Sequence, residues 1–171
     1  PADTVARAAQ DFAGFFCINL APAQHVDVSI LQRADLVVVN ETESAWYGVA
    51  LTACGGMIAT TRGAGTATLE KDGAIIAEAQ PPRVDAIDAT GAGDTFTAAL
   101  TVALIEGRSP ADALQFACVA GALAATRMGA QTSLPPSDMQ SATLRLASKA
   151  HHRRHPPPCH LRVVRRLQEQ A

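Results

Sequence analysis

The residues best suited to chemistry lie together in the run Ile87-Asp88-Ala89-Thr90-Gly91-Ala92-Gly93-Asp94-Thr95-Phe96. Small residues at 91–93 let backbone N–H groups come close to an anion. A helix is expected to begin near Asp94, so its dipole adds positive potential at the same place. The pattern suits a phosphate, or the charge that develops on a phosphoryl group in transfer. A carboxylate directly after such a loop repels phosphate and needs a reason to be there. One reason is general-base work on a substrate hydroxyl; another is plain N-capping of the helix. Spacing alone leaves both open. The run is neither GxGxxG nor GxxxxGK[ST], so dinucleotide-binding and Walker loops are excluded.

The elements that must position this loop alternate along the chain. Helical spacing predicts a helix over 4–13 and a short one over 28–33. The runs 15–20, 35–40 and 57–61 predict strands, of which DLVVVN is continuous enough to be buried on both faces. Acids in the first turn mark a helix over 41–47. Runs at 66–69 and 74–79 around Lys71-Asp72-Gly73 predict a hairpin. A helix over about 94–106 ends at Gly107. Ser109 caps another, with Pro110 at its first position, and it runs to about Arg127. Strand and helix in alternation predict an α/β class with a mainly parallel sheet.

The whole chain has 171 residues, 48% of them apolar and 18% charged, which is one domain with a packed core. Seven aromatic residues leave that core to Ala, Val, Leu and Ile. No apolar run reaches the ~20 residues of a membrane span, and the N-terminus lacks signal-peptide character. Cys17, Cys54, Cys118 and Cys159 are widely spaced without a CxxC, as for reduced thiols in the cytoplasm. Residues 1–148 hold 8 basic and 15 acidic residues, a balance of −7, whereas 149–171 hold 6 basic and one acidic, a balance of +5. The expected organisation is therefore a body over 1–148 and a basic, His- and Pro-containing tail over 149–171, expected to be poorly ordered. Nucleic-acid binding by the tail is disfavoured, since it has no aromatic residue to stack on bases. Its His151, His152, His155, Cys159 and His160 fit no standard zinc spacing.

The run DATGAGDTF resembles the signature of the PfkB family of carbohydrate kinases, its ribokinase-like members in particular. Other segments resemble the family in the same order: Asn19-Leu20-Ala21-Pro22-Ala23, Val39-Asn40-Glu41-Thr42-Glu43, Thr61-Arg62-Gly63-Ala64-Gly65 (one residue shorter than the family loop), and the segment 125–133. The resemblance covers about residues 1–147. It implies a ribokinase-like three-layer α/β/α sandwich that lacks the N-terminal half and lid. It implies Asp94 as catalytic base, with Gly91, Ala92 and Gly93 as anion hole. Asn40 would lie near the phosphates of ATP, and Glu43 would organise Mg²⁺ through water. From residue types alone these two are a strand-end cap and an exposed helix acid. Thr61, Arg62, Gly63, Ala64 and Gly65 would line the nucleotide, together with Gly93 and Asp94. Cys118 would lie close to adenine; on an Ala-rich helix it otherwise reads as plain core. A K⁺ site is implied at Asp88, Thr90, Ala124, Arg127, Gly129 and Ser133, mostly through carbonyls. Ala89 stands where the family usually has Thr, so one hydroxyl is lost there.

The resemblance implies ATP-dependent phosphorylation of a sugar hydroxyl, with D-ribose the expected acceptor and ADP the co-product. The segments that supply most sugar-binding residues and the lid have no counterpart, so weak or absent turnover is expected of this chain alone. A homodimer or a complementing N-terminal half would be the partner. The contrasting reading is a nucleotide-binding remnant without catalysis. Between Tyr47 and Met57 the chain is short, which predicts a reduced or lost helix on the sheet.

Overall fold

A continuous β-branched run has little helix propensity and no charge to keep in water, so it seeks the middle of a sheet. Leu36, Val37 and Val39 do this, at 0%, 0% and 1% exposure. A computed structural model describes residues 2–129; Ala130 to Ser133, the boundary at 148, Cys159 and the tail lie outside the described residues. Strands β1 (Cys17–Asn19), β2 (Leu36–Asn40), β3 (Met57–Thr61), β4 (Ala67–Lys71) and β5 (Ala74–Ala79) lie side by side in chain order. β1, β2 and β3 pair in parallel, and β4 pairs antiparallel with both β3 and β5. Four strands thus share one direction, and the sheet is mixed but mostly parallel. The hairpin forms at Asp72-Gly73, both with positive φ (52° and 76°), the conformation a two-residue turn needs to follow the twist of its strands.

The helices are α1 (Ala2–Asp11), α2 (Val28–Arg33), α3 (Glu41–Tyr47), α4 (Ala92–Ile105) and α5 (Pro110–Ala124). Side-chain alternation along β2 divides the core. Leu36 and Val38 face Phe96 and Leu100 of α4 and Leu114 and Ala117 of α5. Val37 and Val39 face Leu31 of α2, its C-cap Ala34, and Tyr47 of α3. Each such fully buried side chain is worth ~1.5–3 kcal/mol, so a charge at Val37 would unseat the α2 and α3 layer from the sheet. The three-layer expectation holds.

Several boundaries move: α1 covers Ala2–Asp11 and not 4–13, and β1 only Cys17–Asn19 of the expected 15–20. α4 begins at Ala92 and not near Asp94, and α5 ends at Ala124 and not near Arg127. Between Tyr47 and Met57 there is only a 3₁₀ helix over Gly48–Ala53. The chain then squeezes past the turn between α2 and β2. A Cβ at Gly55 would collide with the Gln32 carbonyl, and one at Gly56 with that of Asp35.

Candidate active site

Asn40, Thr61 and Ala79 end strands that point the same way, so they share one edge of the sheet, the carboxyl edge of its parallel part. Asn40 and Thr61 are direct partners in register. The strand-to-helix step at Asn40 is closed by a reciprocal pair. Asn40 Oδ1 accepts from the Glu43 amide at 2.8 Å, and Glu43 Oε2 accepts from the Asn40 amide at 2.8 Å. Glu43 is therefore not the exposed helix acid that its sequence position predicted; it is 6% exposed because its carboxylate folds back onto the cap. Among the described residues no buried side-chain oxygen or nitrogen lacks a partner. No cluster of three His, Cys, Asp or Glu able to hold a metal occurs among them either. The donor set fits a Mg²⁺ ion held by nucleotide phosphates and water with one protein carboxylate, the usual mode for this poorly dehydrating cation.

The loop after β3 is tied by its own residues. The Gly65 amide donates to the Arg62 carbonyl at 2.7 Å, and Gly63 has φ 55°. Arg62 Nη1 donates to the Thr66 carbonyl at 2.9 Å and Thr68 Oγ1 at 3.4 Å. Arg62, Gly63 and Ala64 are exposed on this tight turn.

The start of α4 is built differently. Gly91 occupies the N-cap with φ 78° and no side chain caps the helix. Thr95 holds the turn, its amide and hydroxyl both donating to the Gly91 carbonyl at 2.9 and 2.8 Å. The Ala92 amide, expected in the anion hole, donates instead to the Ala89 carbonyl at 3.1 Å. Among the described residues nothing accepts from the Gly91, Gly93 and Asp94 amides. A Cβ at Gly93 would meet no atom within 4 Å. Asp94 is the third residue of α4, so it is not the N-cap. Its side chain is exposed and takes no hydrogen bond or ion pair from a described residue.

α5 carries this turn to the strand edge. The Cys118 thiol reaches the Ala79 carbonyl at 3.7 Å. One helical turn later, Gly121 lets α5 approach so closely that a Cβ there would stand 3.1 Å from the Ala92 carbonyl. Cys118 is buried, and desolvation pushes its thiol up to about 12, as for a packing residue. Gly121 and Thr95 were not singled out in the sequence. The available signal was a lone Gly inside an Ala-rich helix, which marks a close approach.

Asp88 clasps the loop to the end of α5. Its Oδ1 accepts from the Thr90 amide at 2.9 Å and its Oδ2 from the Gly129 amide at 3.0 Å. The Ile87 and Asp88 amides both donate to the Ala125 carbonyl, and the Arg127 amide donates to that of Ala124. The Gly129 amide, then the Thr90 contacts, hold the Asp88 carboxyl down at about 2. Near the expected cation site, the Asp88 carboxylate and the Ala124 and Ala125 carbonyls thus accept amide hydrogens of the protein itself, and Ser133 lies outside the described residues. No hydrogen bond or ion pair joins the Asn40–Glu43 pair or the 61–65 loop to the 88–94 turn among the described residues; the sheet edge relates them. A cleft of about 480 Å³ opens elsewhere, between the 3₁₀ helix and β3–β4, lined by Thr52, Cys54, Thr60, Glu70 and Lys71 among others. It contains none of these residues and lies beside the short stretch between Tyr47 and Met57.

Known proteins are similar to this chain in sequence and in fold. Residues 2–137 match the pattern of the pfkB family carbohydrate kinases. A ribokinase of Haemophilus influenzae is 33% identical over 132 residues, covering 69% of this chain and 43% of the relative. The crystal structure of a Thermotoga maritima ribokinase superposes with a TM-score of 0.76 at 30% identity, over 85% of this chain and 54% of that one. An Arabidopsis thaliana ribokinase solved with ribose and ATP superposes with a TM-score of 0.71 at 24% identity, over 84% and 53%. The chain spans about half, or less, of the length of these relatives. Among the described residues no helix is long and apolar enough to cross a membrane. With the family pattern matched over residues 2–137, most of its length, the chain belongs to the pfkB family of carbohydrate kinases.

Proposed function

We propose that this chain carries the nucleotide-binding and phosphoryl-transfer edge of an ATP-dependent sugar kinase, with D-ribose as acceptor. The observation that supports this most is the open start of α4, where amides with no acceptor among the described residues and an exposed carboxylate share the first turn. In this reading the body over 1–148 is the working unit and the tail over 149–171 is separate from it. The ribokinase relatives that pass 30% identity supply the choice of ribose.

Asp94 takes the proton of the sugar hydroxyl as that oxygen bonds to the γ-phosphorus and the bond to the bridging oxygen breaks, releasing ADP. The Gly93 and Asp94 amides, with that of Gly91, face the charge on the moving phosphoryl group. Glu43, held by Asn40, orients water around Mg²⁺, which neutralises phosphate charge when bound. The 61–65 turn and α5 near Cys118 flank the nucleotide. Asp88 and the carbonyls around Thr90, Ala124, Arg127 and Gly129 hold K⁺ beside the turn. The free thiols fit a reducing cytoplasm.

The test is ribose-dependent ADP release from ATP, alongside direct ADP binding. Turnover that disappears in Asp94→Ala supports the kinase reading. An Asp94→Ala variant with full turnover overturns the base assignment. The bond of the Ala92 amide to the Ala89 carbonyl, which takes one amide from the expected anion hole, favours a second reading, nucleotide binding without turnover. ADP binding with no ribose-dependent release selects it.

A further inference from the structure

We propose that Thr97 is a positioning residue for phosphoryl transfer: its hydroxyl, bonded to the Gly93 carbonyl, fixes the peptide that carries the Asp94 amide. This deepens the kinase reading and rests on the start of α4 facing phosphate. A peptide unit is rigid and planar, so whatever holds its carbonyl also aims the N–H at its other end. In the first turn of α4 the carbonyl ends are held while the Gly93 and Asp94 amides stay open. Thr95 gives its hydroxyl to the Gly91 carbonyl at 2.8 Å, and Thr97 gives its own to the Gly93 carbonyl at 2.9 Å. The Ala92 carbonyl lies against Gly121 of α5, where a Cβ would stand 3.1 Å away.

The two hydroxyl bonds are alike in length but act on different peptides. The peptide that Thr95 holds ends in the Ala92 amide, which already donates to the Ala89 carbonyl at 3.1 Å. Both of its ends are tied and Thr95 is buried, so that bond belongs to the fold. The peptide that Thr97 holds ends in the Asp94 amide, which meets no acceptor among the described residues. Its other flank is loose, because Gly93 has no Cβ and one built there would meet nothing within 4 Å. Among the described residues, the Thr97 hydroxyl is the one side chain bonded to this peptide. It aims the Asp94 N–H, and through the Asp94 backbone it sets where the carboxylate starts. It also polarises the peptide, which makes the N–H at the far end a stronger donor.

Helix stability gives no competing reason for the hydroxyl. Threonine is a weaker helix former than alanine or leucine, and a hydroxyl bonded back to the carbonyl four residues earlier slightly destabilises a helix. Thr101 makes the same bond to the Thr97 carbonyl at 2.8 Å, one turn further from the open amides, and is the matched control.

The experiment measures binding of adenylyl imidodiphosphate with Mg²⁺ by calorimetry, the Gly93 and Asp94 amide resonances by NMR, and Tm, in Thr97→Val, Thr97→Ser and Thr101→Val. In the unaltered chain the nucleotide should shift both amide resonances. Thr97→Val keeps the shape and loses the hydroxyl, so it should weaken binding about three- to tenfold and keep Tm within about 3 °C. Thr97→Ser and Thr101→Val should each bind within about twofold of the unaltered chain. An unaltered chain whose Gly93 and Asp94 amides ignore the nucleotide overturns the kinase reading of this turn, and the role of Thr97 with it. Amides that respond, with binding in Thr97→Val unchanged or weakened equally in Thr101→Val, overturn the role of Thr97 alone. So does a larger fall in Tm in Thr97→Val, or a Thr97→Ser that fails to restore binding, since the first makes Thr97 structural and the second shows that the hydroxyl is not what matters.

Discussion

The starts of α3 and α4 have an acid at the same helical position and treat it in opposite ways. In α3, Glu43 is the third residue and its carboxylate returns to the Asn40 amide, while Asn40 caps the Glu43 amide. In α4, Asp94 is the third residue, its carboxylate stays exposed, and Gly91 offers no side chain. α2 and α5 follow α3 in having side-chain caps, from Asp27 and Ser109. Part of the difference is reach. A reciprocal cap uses Glu or Gln, and Asp is one methylene shorter. The rest is support: α4 is held by its packing on α5, so it can leave its first amides open. A closed helix start stabilises a fold, whereas an open one at a strand edge is available to an anion.

The sharpest way to break this contrast is at Asp94. Asp94→Ala should lower ribose-dependent ADP release by about 10²–10⁴-fold, the usual worth of a general base. Melting should not change, because the side chain is exposed and takes no hydrogen bond or ion pair from a described residue. Asp94→Glu adds the missing methylene, so the acid can fold back as Glu43 does. Turnover should fall and Tm should rise slightly. A Tm loss in either variant, read by calorimetry, would mean that Asp94 is structural.

The next effects are on stability. Asn40→Ala removes the cap of α3 and should cost about 1 kcal/mol in denaturant unfolding. Gly91→Ala should cost a similar ~1–2 kcal/mol for a different reason, since φ 78° is left-handed. Gly93→Ala separates fold from function. Gly93 has open space around it, so alanine should stabilise α4 by up to about 1 kcal/mol. The added methyl narrows the approach to the amides, so ADP affinity, measured by calorimetry, should weaken. Equal or tighter ADP binding in this variant would place the phosphates elsewhere.

Much of this was legible because local rules and tertiary structure agree. The limits of α2, α3 and β3 follow from capping residues and apolar runs, and Asp72-Gly73 fixes the hairpin. Glu43 misled because burial of an acid depends on a backbone amide that only the folded strand end presents. The start of α4 misled because Gly91 in the left-handed region moves the N-cap three residues upstream of the carboxylate. The resemblance implies an anion-hole role for the Ala92 amide, but its bond to Ala89 depends on loop shape. The clasp at Asp88 joins residues 41 apart, a pairing that no spacing announces.

That clasp gives the smallest effect and a signed one. The Gly129 and Thr90 contacts hold the Asp88 carboxyl at about 2, against an ordinary value of 3.8. A depressed carboxyl contributes stability that is complete above its ordinary value and is lost as pH falls through the lowered one. The site is open to water, so the contribution is small. Asp88→Asn keeps the shape but loses the charge and one acceptor. Its Tm should lie below that of the unaltered chain at pH 5–7, and the gap should close between about pH 4 and pH 2 as the carboxyl takes up its proton. The start of α4, where Asp94 takes no bond from a described residue, should show no such closing gap in Asp94→Asn. A gap at Asp88 that persists unchanged to pH 2 would mean that the clasp acts through shape and not through charge.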